Sequence, residues 1–228
     1  MILQITNSDH FARLLDSLAA DVLDAGYHLQ LRVGLAGAAG EYGRELDQHR
    51  AFWHLTLNAQ TAAVMAHLCR AYDQNPNSLS LLNLIDTIRD NIHLFGGSPG
   101  SRHPPVVNPS APKPDTTSLL QDRLSVSPKD PLVGRLVSLR GNVFAHHTAI
   151  SVTEELGLAT RFAMTFSELD ELWRRGLSIL NRYSQLFQHG VWASSLIGQD
   201  DYRNLLQALR RDLKARESPA SEKQHDPR

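Results

Sequence analysis

The chain contains one cysteine, Cys69. An intramolecular disulfide is excluded, and a thiol set between Leu68 and Arg70 in a helical pattern reads as a small buried hydrophobe in a reducing compartment. Charge of one sign is also missing. The formal net charge is −1, so there is no broad basic field of the kind carried by non-specific nucleic-acid binders, and any contact with RNA has to be local. No segment reaches the roughly 18 consecutive apolar residues of a membrane span, and the opening Met1-Ile2-Leu3-Gln4-Ile5-Thr6 lacks a charged leader region. We therefore expect a cytoplasmic protein with no membrane partner. No Gly-rich phosphate loop, nucleophile elbow or triad arrangement is evident.

What is present is helical periodicity. With 228 residues, 42% of them hydrophobic, the chain is long enough for one elaborated domain with a proper core. Apolar residues recur at helical spacing from Phe11 through Leu14, Leu18, Val22 and Leu29, after a cap at Ser8 or Asp9, and predict a long helix to about Ala39. There Gly34, Gly37 and Gly40 weaken helix propensity. A second helix runs from Phe52 to near Tyr72, where Asn75-Pro76-Asn77 forces a turn. A third, capped by Ser80 or Ser78, extends to about His93.

From Gly96 to Thr117 glycine, proline, serine and lysine dominate, which predicts an irregular linker inside the domain. Pro131 suits the first turn of the next helix. Ser167 is expected to cap a helix through Phe187, with Glu168, Asp170 and Glu171 near its positive end. A last helix is expected from Gln199 to Lys214. The only candidate strand is Arg161-Phe162-Ala163-Met164-Thr165. The expected organisation is all-α: a helical domain over residues 1–190 with the linker at about 96–117, a C-terminal helix within 191–216, and a disordered tail over 217–228.

The chemistry concentrates in Leu139-Arg140-Gly141-Asn142-Val143-Phe144-Ala145-His146-His147. Arginine supplies a permanent charge and a planar fork of donors that matches phosphate oxygens. An imidazole with a reference pKa of about 6.5 moves protons at neutral pH. Together they suit phosphodiester cleavage without a metal. At about 100° per residue, Arg140 shares a helix face with His147 rather than His146, unless Gly141-Asn142 breaks the helix.

This text is similar to the R-x(4–6)-H signature of the HEPN superfamily. A second block, Ala51-Phe52-Trp53-His54-Leu55-Thr56-Leu57-Asn58-Ala59, then Leu68-Cys69-Arg70-Ala71-Tyr72-Asp73 and Ser78-Leu79-Ser80-Leu81, resembles the AbiU-like, abortive-infection branch. The resemblance implies a HEPN-like helical bundle over roughly residues 8–190. It also implies a homodimer that cleaves RNA through Arg140 and His146 in phage defence or as a toxin, with a neutralising antitoxin or an activator as partner. In this reading Asn142 supports substrate positioning, His147 is the alternative histidine, and Arg70 and Tyr72 contact RNA.

Two departures accompany the match. Gly141 stands where the family commonly has Asn or Asp, which leaves open a catalytically inactive HEPN domain that binds RNA or a protein. Thr148 stands where the nucleotidyltransferase-paired HEPN toxins carry a tyrosine, so regulation at that position is not expected.

Other candidates are weaker. His49, His54 and His67 follow one another at i,i+5 and i,i+13, which do not share a helix face, and no cysteine or carboxylate cluster joins them; we expect no metal and no cofactor. Arg70 beside Asp73 reads as a surface or capping pair. Arg174-Arg175 and Arg210-Arg211 with Lys214 and Arg216 suit either RNA backbone contacts or a solvated helix face. Trp53, Trp173 and Trp192 suit base stacking or, beside leucines, the core.

Overall fold

The computed structural model describes residues 5, 8–92, 95, 113–140, 163–188 and 190–217. Among the described residues there are seven α-helices and no strand. They are α1 (Ser8–Gln48), α2 (Arg50–Ala71), α3 (Leu81–Asp90), α4 (Thr116–Ser125), α5 (Pro131–Leu139), α6 (Phe166–Gln188) and α7 (Tyr202–Glu217). Of the candidate strand, Ala163 to Thr165 is irregular and the first two residues lie outside the described ones, as does most of the expected linker and tail.

α1 and α2 form an antiparallel hairpin. Its order is set by side-chain pairs that advance on α1 as they retreat on α2: Asp21 with Arg70, then Arg32 with Thr61. α6 packs along both, α3 packs on α4 and α1, and α5 packs on α6. The main core gathers Phe11, Leu15, Leu18, Leu68, Leu84 and Leu172 with their neighbours, all buried. A smaller cluster joins Leu35, Ala38 and Tyr42 of α1 to Trp53 of α2 and Leu206 of α7.

That second cluster explains the first departure from expectation. α1 does not stop near Ala39 but continues to Gln48, with a kink at Tyr42 (φ −118°, ψ 28°). A glycine inside a helix costs about 1 kcal/mol, and the burial of Ala38 and Tyr42 against α7 offsets it. Gly34 has a packing role as well, since a Cβ there would lie 2.7 Å from the Tyr202 hydroxyl. Gly26 admits Trp173 of α6 so closely that a Cβ would fall 2.2 Å from the indole nitrogen.

Caps set the other boundaries. Ser80 accepts from the Asn83 N–H at 3.4 Å and starts α3. Asp115 accepts from Ser118 N–H at 2.9 Å and starts α4, a helix that the linker composition concealed. Asp130 accepts from the N–H groups of Leu132 and Val133 at the head of α5. At α6 the cap is Thr165, not Ser167: its hydroxyl accepts from Glu168 N–H at 3.2 Å, and Glu168 accepts from Thr165 N–H at 2.8 Å. The Thr-x-x-Glu spacing makes that reciprocal pair possible, and Ser167 sits inside it. α7 begins at Tyr202, after a turn in which Gly198 takes φ 81°.

Candidate active site at the end of α2

The last turn of α2 is fixed from inside. Tyr72, the residue that closes the helix, is 1% exposed, and its hydroxyl donates to the Leu172 carbonyl of α6 at 2.7 Å. Burial pushes that phenol well above its ordinary range. The expected RNA contact from Tyr72 is therefore corrected: the ring belongs to the core because its large apolar body and single hydroxyl are both satisfied there.

Asp73 follows at once, and its carboxylate is shaped by three groups. Its Oδ1 accepts from Asn75 N–H at 3.0 Å, a side-chain-to-backbone turn that holds the loop after α2. The same oxygen accepts from Arg140 Nη1 at 2.6 Å. Burial acts to raise the carboxyl's pKa, but the Arg140 hydrogen bond and charge with the backbone N–H groups of Asn75 and Gln74 outweigh it and hold it below the usual carboxylate range.

Arg140 reaches this place from α5. Leu132, Val133, Leu136 and Leu139 of that helix are buried, so its position is dictated by the core. Arg140 comes directly after, in helical conformation (φ −56°, ψ −51°), and stays 44% exposed while Asp73 is 15% exposed. Asp73 raises the guanidinium's pKa further, so the charge is permanent. One arm of the fork is held by a fixed carboxylate, in a group that carries five N–H donors in all. Beside it, burial pushes the Cys69 thiol up to about 11, so the sulfur is neutral and inert at physiological pH.

A second arrangement lies on the same turn of α2. Arg70 Nε and Nη2 donate to Asp21 Oδ1 of α1 at 2.9 and 2.6 Å. His67 Nδ1 lies 3.0 Å from that oxygen and 2.8 Å from Arg70 Nη2. The His67 ring stacks on His28, 5.7 Å between centroids. Arg70 is 54% exposed and Asp21 25%. The expected Arg70–Asp73 pairing is thus replaced by two separate pairs, Arg70–Asp21 and Arg140–Asp73. Neither pairing is legible in the sequence, since each joins residues of different helix ends far apart in the chain.

Of the residues singled out in the sequence, the structure brings Arg140 and Asp73 together and places Arg70 on the same helix end. His146, His147 and Asn142 lie outside the described residues. The basic clusters are largely matched by acids: Arg174 by Asp170, Arg175 by Asp130 and Glu171, Arg210 by Glu45 and Glu41, Arg216 by Asp212. Trp53 and Trp173 are core residues. His54 meets Asn58 at 3.0 Å, and among the described residues no group of three or more His, Cys, Asp or Glu side chains is placed to hold a metal ion. No helix among them is long and apolar enough to cross a membrane.

A family model described as HEPN_AbiU2 (AbiU2) matches residues 8–215, from the start of α1 to near the end of α7. No curated protein and no solved structure matches the chain. With an all-α bundle in which both halves of the sequence resemblance meet at Asp73 and Arg140, and a match over nearly the whole chain, this protein belongs to the HEPN_AbiU2 family.

Proposed function

We propose that this chain is a metal-independent endoribonuclease of phage-defence or toxin type, acting in the cytoplasm as a homodimer. Arg140 and His146 carry the chemistry. The ribose 2′-oxygen attacks phosphorus, the bond to the 5′-oxygen breaks, and the products are a 2′,3′-cyclic phosphate and a 5′-OH end. A histidine takes the proton from the 2′-OH or delivers one to the leaving oxygen, and Arg140 stabilises charge on the non-bridging oxygens. His147 is the alternative histidine, and Asn142 is a positioning amide. In a toxin role, a neutralising antitoxin or an activator governs the activity.

The observation that supports this reading is the hold of Asp73 on Arg140. A guanidinium pinned on one side and 44% exposed is oriented before substrate arrives. Less freedom is then lost on binding a phosphate. Arg70, exposed on the same helix end, is a secondary RNA contact.

A second reading is a catalytically silent HEPN domain that binds RNA or a protein. Gly141 favours it. Expression in a bacterial host separates the two. The nuclease reading expects growth arrest by the wild type and relief by Arg140→Ala or His146→Ala; a harmless wild type that still captures RNA favours the silent domain.

A further inference from the structure

The first turns of α6 and α7 face the middle of α1 across a cleft of about 510 Å³, and Arg140 and Asp73 are not among its walls. Its floor is apolar: Leu29 of α1 is buried there, and Val33, one turn further on, is 49% exposed. Phe166 and Tyr202 form its sides. One face of each ring is taken by a guanidinium, Arg32 at 4.8 Å from the Phe166 centroid and Arg203 at 5.6 Å from that of Tyr202. The rim balances its charges, with Asp170 and Asp200 against Arg174 and Arg203. Arg174 donates to Asp170 at 2.7 Å, and that pair is satisfied. Among the described residues Asp200 and Arg203 have no ion-pair partner, although they share one turn, with the Arg203 N–H on the Asp200 carbonyl at 2.9 Å.

A rim that is neutral as a whole does not suit a polyanion, because a phosphate dianion beside Arg203 would also face Asp170 and Asp200. An uncharged apolar ligand would leave Asp200 and Arg203 unanswered, and a simple ion would leave the floor bare. A zwitterion with an apolar side chain answers all three. We infer that this cleft binds a free α-amino acid with a large apolar or aromatic side chain. Its carboxylate takes the Arg203 fork, its ammonium takes Asp200, and its side chain lies on Leu29 and Val33 between Phe166 and Tyr202. A guanidinium matches a carboxylate with two parallel N–H donors. The carboxylate also gains from the positive ends of α6 and α7, whose first turns line the cleft. The volume lies within the range of about 300–1,000 Å³ usual for small-molecule sites, which set a few polar groups over an apolar floor. Bound there, the amino acid ties α1 to both later helices. The site stands apart from Arg140 and Asp73, so its existence does not depend on the nuclease reading.

The test is calorimetry on the full chain with glycine, alanine, leucine and phenylalanine, beside leucinamide, which lacks the carboxylate, and N-acetylleucine, which lacks the ammonium. Glycine is expected not to bind, and affinity should rise about tenfold or more from alanine to leucine as apolar area is buried. Leucinamide and N-acetylleucine should each bind about fivefold or more weaker than leucine, as loss of one charged contact at a wet rim implies. Arg203→Ala and Asp200→Asn should weaken leucine binding by about the same factor. Asp200→Asn should leave N-acetylleucine within about twofold, since that ligand brings no ammonium to lose. Val33→Trp fills the floor from an exposed position and should weaken leucine about tenfold or more. Circular dichroism confirms that each variant folds.

Absence of leucine and phenylalanine binding by the wild type at millimolar concentration overturns the proposal, as does equal binding by the wild type and all three variants. N-acetylleucine binding as tightly as leucine, with Asp200→Asn silent, also overturns it, because that marks a site for an apolar carboxylate rather than an amino acid. AMP binding more tightly than phenylalanine overturns it in favour of a phosphate. None of these measurements reads RNA cleavage, so failure here and failure of the nuclease reading remain distinct.

Discussion

Arg140 donates to Asp73 at 2.6 Å, and this bond ties the residue that follows α5 to the residue that follows the cap of α2. Both helix ends are anchored independently, α5 by its buried leucines and α2 by Tyr72 on the Leu172 carbonyl. The arginine is therefore directed by the fold rather than by its own rotamer preferences.

Removing that direction should cost activity more than stability. Asp73→Asn keeps the shape and the turn bond to Asn75 but loses the charge. With Arg140 44% exposed, the pair contributes only about 0.5–1 kcal/mol after solvent screening. In an RNA-cleavage assay Asp73→Asn is expected to lower the rate about tenfold while shifting Tm by only a few degrees. An unchanged rate would assign Asp73 a purely structural part.

The same carboxylate sets a pH dependence. The folded pKa of Asp73 is depressed below its unfolded value, so its contribution is present above the ordinary carboxylate range near pH 4 and is lost as the pH falls below it. The Tm difference between the wild type and Asp73→Asn should thus be constant from about pH 7 to 5 and shrink toward zero below about pH 4. A difference that grows on acidification contradicts the assignment.

Two glycines of α1 make a paired stability test. A Cβ at Gly26 would fall 2.2 Å from the Trp173 indole nitrogen, whereas one at Gly37 meets nothing within 4 Å. Gly26→Ala should destabilise by about 1–3 kcal/mol through overpacking. Gly37→Ala should stabilise by up to about 1 kcal/mol through helix propensity. Urea unfolding of both, with equal m-values, checks the opposite signs.

Asp122 is the buried carboxylate that joins α4 to α6. It is 7% exposed and accepts from Arg182 Nη1 at 2.7 and 2.6 Å and from the Tyr183 hydroxyl at 2.7 Å. Tyr183→Phe should cost about 1–2 kcal/mol. Asp122→Ala should cost more, about 2–3 kcal/mol, because it strands the buried Tyr183 hydroxyl and also removes the ion pair with the 44% exposed Arg182. Chemical denaturation that ranks them in the other order would show the Arg182 contact to be the lesser one.

Periodicity made most of this fold legible: α2, α3, α5 and α6 lie close to where apolar spacing puts them, with Ser80 and Pro131 marking the starts of α3 and α5. The misses have local causes. α1 outruns its glycines because Tyr42 and Ala38 find partners on α7, a contact no window of sequence contains. α4 hid behind proline-rich text, although Asp115 three residues before Ser118 is a cap signal. At the candidate site Arg140 was legible from its motif, but its partner was not. In sequence Asp73 stands beside Arg70 and suggests that pair, whereas the fold gives Arg70 to Asp21.

The most direct test of the proposed chemistry is cleavage of a mixed RNA pool by the purified protein in excess EDTA, beside Arg140→Ala, His146→Ala and His147→Ala, with analysis of the product ends. The nuclease reading expects cyclic-phosphate ends from the wild type and their loss in Arg140→Ala and in one histidine variant, which names the catalytic imidazole. No cleavage by the wild type, or equal cleavage by all four proteins, contradicts it.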